Sequence, residues 1–451
     1  MVDTHVEESL GANPGDAALN PADQVAMGVP ASKAPGFLGS SRGRAFRALA
    51  HRPYRLLFSA FLVNQTGFWL SHLGMQGLMA AKSGNDPLWL GWLFFALFIP
   101  AFALAPLAGV TADRYDRKRI MLVSYAGIAA LSAVLAALTA TDAITPLSLL
   151  SIGFGMGLCF CFSGPASYAL AANTVPPEDM PSAVSLQSAA NNLTRVVGPM
   201  AVAPIIATGR FEWAFMAFVV AATIAGGLTA AMRVRPYTPE PSEGGILARL
   251  AGGFRHASER KPAVPALSVV AVLSLFGVSH AVVLPVFAEE VLGNLDAFAW
   301  IVVSTGAGAV LGALTIGYRR SDPTLASSVW VMLAYSGALA AFAVSTSLWA
   351  ALLTQFVLGW CYFAIMTSLQ TLVQQLVDES KRGRVMSLFQ VAWAGLVPWG
   401  GLALGAAAGS FGVVPTLLAG AAVCAVYAIG IGLWSRQSAW AGLPASQEGV
   451  Y

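Results

Sequence analysis

The sequence predicts an all-α membrane protein of twelve transmembrane helices, arranged as two six-helix bundles related by a parallel pseudo-repeat. Three observations carry this. Of 451 residues, 57% are hydrophobic and only 10% charged, where a soluble domain has about 25% charged residues. Apolar runs of about 20 residues, enough to cross the roughly 30 Å hydrocarbon core as helices, follow one another with short connections. Residue pairs in the first half also return, in the same order, in the second.

Residues 1–45 are rich in Ala, Gly, Pro and Asp and hold no sustained apolar run. Such a segment has too little apolar surface to fold and is expected to be a disordered cytoplasmic tail. No basic n-region precedes an apolar h-region, so no secretory signal is read there. Arg42, Arg44, Arg47, Arg52 and Arg55 then suit an amphipathic helix on the anionic cytoplasmic leaflet.

The spans are expected at about 56–81, 88–111, 120–141, 146–172, 182–208 and 212–233 in a first bundle covering 46–233. A second bundle, 263–434, holds spans at about 264–290, 296–318, 326–346, 348–376, 385–409 and 413–434. Between them lies a cytoplasmic linker, 234–262, with Pro236, Pro239, Pro241, Gly244 and Gly245 and an amphipathic pattern over 246–257. Residues 435–451 form a second cytoplasmic tail. This assignment places Lys82 and Arg210 outside and Arg195 within a span. The other Lys and Arg then fall on the cytoplasmic side, together with both termini.

The internal repeat rests on four pairs. Phe46-Arg47 and Phe254-Arg255 are 208 residues apart, as are Ser71-His72 and Ser279-His280. Phe154-x-x-Gly157-x-Cys159-Phe160 returns as Phe356-x-x-Gly359-x-Cys361-Tyr362 at an offset of 202, as does Val184-Ser185-Leu186 as Met386-Ser387-Leu388. One loop deletion accounts for the change in offset. The four cysteines, Cys159, Cys161, Cys361 and Cys424, all fall in apolar segments and read as packed thiols, not as a disulfide framework.

Between spans 2 and 3 lies a short polar turn, Gly109-Val-Thr-Ala-Asp113-Arg114-Tyr-Asp116-Arg117-Lys118-Arg119. It resembles the loop between helices 2 and 3 of the major facilitator superfamily, G-x-x-x-D-R-x-G-R-R. Gly109, Asp113, Arg114, Arg117 and Lys118 match, and Asp116 replaces the second glycine. The variant A-D-R-Y-D-R-K-R is similar to a branch of bacterial exporters that includes the enterobactin (siderophore) exporter. The resemblance implies two bundles that rock about a central cavity lined by spans 1, 4, 7 and 10. It also implies a gating role for Gly109, Asp113, Arg114, Arg117 and Lys118. Asp113 can cap a helix N-terminus in the other half while the arginines bridge carboxylates. The alternative is a plain positive-inside anchor. In the second half only Gly317-Tyr-Arg319-Arg320-Ser-Asp322 remains, so the gate reads as asymmetric.

Arg195 stands about 20 Å along span 5 from its cytoplasmic end at 1.5 Å per residue. A charge there costs roughly 2.5–3.5 kcal/mol on insertion scales and normally has a task. Gln187, Asn191 and Arg195 recur at i, i+4 and i+8, with Asn192 beside them. The stripe reads either as a guanidinium for an anionic substrate group or as a structural lock onto carbonyls and the Asn pair. Gly198-Pro199 follows and resembles the family's antiporter motif, G-P-x-x-G-G, without its trailing glycine pair.

His72 and His280 are the repeat-related titratable pair. Histidine changes charge near neutral pH, so a cavity histidine can carry a coupling proton. The alternative is a buried neutral ring satisfied by hydrogen bonds. No Asp or Glu lies deep in a span. The other binding candidates are Asn64, Gln65 and Gln76 in span 1 and Gln355, Gln370 and Gln374 in span 10. Phe154, Phe160, Tyr168, Trp360, Tyr362 and Trp393 are candidate walls. Such a wall suits an amphipathic or aromatic substrate more than a sugar.

The sequence holds no nucleotide loop, no metal-ligand cluster and no Ser/His/Asp arrangement. The expectation is therefore neither an enzyme nor a primary pump, with no cofactor, no metal and no nucleic-acid partner. The reading is a monomeric secondary transporter of the bacterial inner membrane. It exports an amphipathic siderophore- or drug-like molecule by alternating access, coupled to protons. A lysophospholipid or lipid-precursor flippase of the same fold is the alternative, ahead of a non-transporting receptor.

Overall fold

The computed structural model describes residues 46–234, 263–317, 323–377 and 382–436. These residues are helical, with no strand among them. Helices stand at every one of the twelve expected positions. In the first half they are Arg52–Ser83, Pro87–Ala103 continued by Ala105–Arg114, Arg117–Ala140, Pro146–Ala172, Met180–Ala207 and Glu212–Ala230. In the second half they are Ala263–Glu290, Ala297–Gly317, Leu325–Ala343, Leu348–Leu376, Arg382–Phe411 taken as three joined pieces, and Val413–Arg436. Eight are long and apolar enough to cross a bilayer by length and hydropathy alone. Spans 1 and 5 have the length, but their polar stripes lower the hydropathy.

The ends follow from local chemistry. Asp86 caps span 2 by accepting from Leu88 N at 2.8 Å, with Pro87 in the first turn. Asp116 does the same for span 3 through Lys118 N at 2.9 Å. Thr145 with Ser148, and Thr324 with Ser327, form capping boxes on spans 4 and 9. Span 1 ends on Gly84 and Asn85, both left-handed, at φ +66° and +62°.

Three spans are broken, and hydropathy does not foretell this. Span 2 is interrupted at Leu104, two residues before Pro106, which cannot donate to the ladder. Span 7 passes from α-helix through a π segment, Leu273–Gly277, and a 3-10 segment, Val278–Val283, before Leu284–Glu290. Span 11 carries a π segment at Val391–Gly395. Such interruptions free backbone groups and often lie at functional positions.

The packing repeats as the sequence does. Spans 2/4, 3/4 and 3/6 pair in the first half, and spans 8/10, 9/10 and 9/12 pair in the second. The halves meet through spans 2/11 and 5/8. Gly157 and Gly359, equivalent in the repeat, lie against the Leu97 and Thr305 carbonyls, where a Cβ would overlap the oxygen. The motif glycines thus let spans 2/4 and 8/10 cross backbone to backbone.

At one end of the bundle spans 2 and 11 form a tight seam. A Cβ on Gly405 would stand 2.6 Å from the Pro87 carbonyl oxygen, and one on Gly91 3.1 Å from that of Gly401. Phe95 packs edge-on against Trp399 beside it, centroids 5.1 Å apart. At the opposite end the short helix Arg47–Ala50 is strapped to span 5. Ala48 N donates to Ser182 Oγ at 3.1 Å, and Arg47 and His51 both meet the buried Asp179. Of the basic segment, Arg47 lies in this 3-10 turn and Arg52 and Arg55 open span 1. Arg42 and Arg44, the linker pattern at 246–257 and the remnant at 318–322 lie outside the described residues.

Candidate functional site

The halves enclose a cavity of about 490 Å³. Its lining comes from both halves, through spans 1, 2, 4 and 5 and spans 7 to 11. The wall is mostly apolar and aromatic: Phe68, Trp69, Phe94, Phe98 and Phe160 face Tyr335, Tyr362, Phe363 and Trp393. Polar groups are few: Gln65, His72, Gln76, Asn191, His280 and Thr305.

On the first-half side, His72 stands in an aromatic cage. Phe68 stacks on it at 5.5 Å and 4°, and Trp69, Phe94 and Phe98 surround it at 5.8–6.0 Å. Gln76 Nε2 donates to His72 Nε2 at 2.8 Å, which leaves the ring proton on Nδ1. Gln76 Oε1 and Trp69 Nε1 are buried without partners. Trp69 gains its position from Gly198, where a Cβ would overlap its own. Gly198 of span 5 therefore admits span 1. Gln65 Nε2 donates to Asn191 Oδ1 at 3.1 Å across the same crossing.

The second-half side is bonded differently. His280 sits on the 3-10 segment of span 7. Its Nδ1 donates to the Gly277 carbonyl at 2.8 Å, and its Nε2 lies 3.4 Å from Gln355 Oε1. Thr305 Oγ1 donates to the same Gln355 oxygen at 2.9 Å. The Tyr335 hydroxyl also lies 3.4 Å from Nδ1 and can donate to it. A doubly protonated ring satisfies both acceptor oxygens, whereas a neutral ring protonated on Nε2 donates to Gln355 and accepts from Tyr335 at Nδ1.

The residues singled out in the sequence separate in space. His72, Gln76, Asn191 and His280 line the cavity. Gln355 stands behind His280, fully buried. Asn64 is buried in span 1, off the lining, with Oδ1 unpartnered. Trp360 turns away and donates to Thr315 Oγ1 of span 8 at 3.1 Å. Of the candidate walls, Phe160, Tyr362 and Trp393 line the cavity, whereas Phe154 and Tyr168 are exposed. Span 5 carries Arg195 one turn beyond Asn191, but its side chain, like that of Asp113, lies outside the described residues.

The turn between spans 2 and 3 binds mainly backbone oxygens. Arg117 donates to the Ala112 carbonyl at 3.2 Å, to Ala169 O at 3.0 Å and to Asn173 Oδ1 at 2.6 Å. Lys118 Nζ caps span 6 through Ala230 O at 2.8 Å and Met232 O at 2.7 Å. Arg114 is exposed, and Gly109 is half-buried with open space at its Cβ position. These bonds tie the turn to spans 4 and 6 of its own half.

Two helical bundles in parallel repeat around one shared cavity define a membrane carrier, not an enzyme. The chain belongs to the major facilitator superfamily, and the family described as transmembrane secretion effector matches residues 44–442. It is 26% identical to the uncharacterized MFS-type transporter YfiS of Bacillus subtilis (strain 168), over 74% of this chain and 82% of that one. It is 22% identical to the staphyloferrin A transporter of Staphylococcus aureus (strain NCTC 8325 / PS 47), over 80% and 91%. Among solved structures, the nucleoside transporter NupG superposes with a TM-score of 0.62 at 15% identity, over 84% of this chain and 97% of that one.

Proposed function

We propose that this protein is a secondary exporter of an amphipathic, siderophore- or drug-like molecule across the bacterial inner membrane, working by alternating access as a monomer. The observation that carries the reading is the cavity. It is enclosed by both halves, walled by aromatic rings and furnished with a few separated polar groups. Such a site holds an apolar body and orients it by a few hydrogen bonds. The likeness to a staphyloferrin A transporter supports a siderophore-like cargo. His280 is the proposed proton carrier, because its two nitrogens face acceptors that the charged ring satisfies. Arg195 is proposed to meet an anionic group of the cargo. The turn at Gly109, Asp113, Arg114, Arg117 and Lys118 is proposed as the cytoplasmic gate.

The test is metabolite profiling of a deletion strain against the complemented strain. One compound should accumulate inside the mutant and fall in its medium. The reverse pattern would make the protein an importer, and no difference in any compound would remove the export reading.

A further inference from the structure

Where spans 1 and 5 cross, two amide side chains in the cavity wall share half of the bonding open to them. Gln65 of span 1 and Asn191 of span 5 are both half-buried, and both line the cavity. Gln65 Nε2 donates to Asn191 Oδ1 at 3.1 Å. Each primary amide carries a donor and an acceptor, so two of them can close a ring of two bonds. Among the described residues the second bond, from Asn191 Nδ2 to Gln65 Oε1, is not made, and neither atom has another partner. A pair that only braced the two spans would gain from closing the ring. The lining residues of this half with enclosed, unpartnered atoms are Trp69 and Gln76, and Gln65 Oε1 and Asn191 Nδ2 are not among those atoms. The two amides thus offer the cavity one open acceptor, on span 1, and one open donor, on span 5.

We propose that the Gln65–Asn191 pair is a subsite for a neutral carboxamide on the cargo, or for a group with the same donor–acceptor edge. The inference rests on the export reading of the cavity and names a chemical group that its cargo carries. The cargo carbonyl accepts from Asn191 Nδ2, and the cargo N–H donates to Gln65 Oε1. With the bond already present, three amides then form a closed cycle in which each donates to the next. Hydrogen bonds linked in this way polarise and strengthen one another. A ketone or an ester satisfies Asn191 Nδ2 and leaves Gln65 Oε1 as it was. A carboxylate has no proton to give and sets its own lone pairs against that oxygen. The aromatic lining of the cavity takes the apolar body to which the amide is attached.

The probes are 2-naphthamide and 2-acetylnaphthalene, which share a ring system and a carbonyl acceptor and differ by an amino group in place of a methyl. Binding to the protein in nanodiscs is read by equilibrium dialysis, with empty nanodiscs as the partition reference. Wild type should prefer the amide by about 3- to 10-fold, the worth of one neutral hydrogen bond. A single substitution leaves one amide that still offers both a donor and an acceptor, so the double variant Gln65→Met/Asn191→Leu is the decisive one. It should bind the two probes equally. Should it elute as aggregate, N,N-dimethyl-2-naphthamide carries the comparison in wild type, because it keeps the carbonyl and loses both N–H groups. It should bind no better than the ketone. Equal affinities for amide and ketone in wild type, a preference that survives in the double variant, a dimethyl amide that binds as tightly as its parent, or binding of neither first probe overturns the subsite. None of these outcomes touches the export reading, which stands or falls on the metabolite profile.

Discussion

Arg117 Nη1 lies 2.6 Å from Asn173 Oδ1, and the same nitrogen reaches the Ala169 carbonyl at 3.0 Å. The guanidinium thereby clamps the last turn of span 4 to the turn that follows span 2. Lysine keeps the charge but cannot serve several acceptors through a planar fork. Arg117→Lys is expected to insert normally and to lose about 1.5–3 kcal/mol of this clamp, the range for charge-assisted bonds. Transport should fall at least tenfold. Wild-type transport rates in proteoliposomes would reduce the turn to a topological anchor.

Gly405 tests the seam between spans 2 and 11. Any β-carbon there meets the Pro87 carbonyl at 2.6 Å. Gly405→Val should therefore force the two helices apart and depopulate this closed arrangement. Spin labels placed across the seam would report it as a longer, broader distance. An unchanged distance distribution would mean that the close approach is incidental.

Gly277 probes the break in span 7. A Cβ would lie 2.8 Å from Leu273 Cδ1 and 2.9 Å from Tyr335 Cε1. Overpacking of this kind costs typically 1–3 kcal/mol. Gly277→Ala should lower the thermal midpoint in detergent. It should also weaken coupled transport, because the residue's carbonyl holds His280. A variant as stable as wild type would show that Tyr335 has room to retreat.

The two histidines are expected to fail differently. His280→Gln should abolish uphill transport driven by a proton gradient while sparing counterflow, which moves no net proton. His72→Gln should weaken both together, since His72 orients Gln76 in the cavity wall. Equal loss of both activities in His280→Gln would assign that residue to packing.

Much of this architecture was legible because it is one-dimensional. Span positions follow from hydropathy, and the Ser-His pairs at equal offset led to two rings on one cavity. The breaks were not legible. Leu273–Gly277 departs from α-helix where Gly277 packs on Tyr335, a contact between spans 7 and 9 that no local window contains. Trp360 and Tyr362 illustrate a second limit. Two residues apart on a helix is about 200° of rotation, so the ring of Tyr362 faces the cavity while that of Trp360 bonds to span 8. Phe94 and Phe98 of span 2 were invisible for another reason. In a helix that is apolar all round, an aromatic residue that lines a site reads the same as one that faces lipid.

The span 2/11 seam has a consequence for how the carrier senses its medium. Among the described residues it is backbone and ring against backbone and ring, with no ion pair bridging it. Electrolyte screens charges over about 10 Å at 0.1 M and finds nothing to weaken there. The far mouth is different, since Arg114, Arg117, Lys118 and Arg119 crowd one turn. If this turn is the gate proposed above, ionic strength acts on that mouth and not on the seam. The balance between the two facing states of the proposed cycle then becomes a function of the salt on a single side of the membrane.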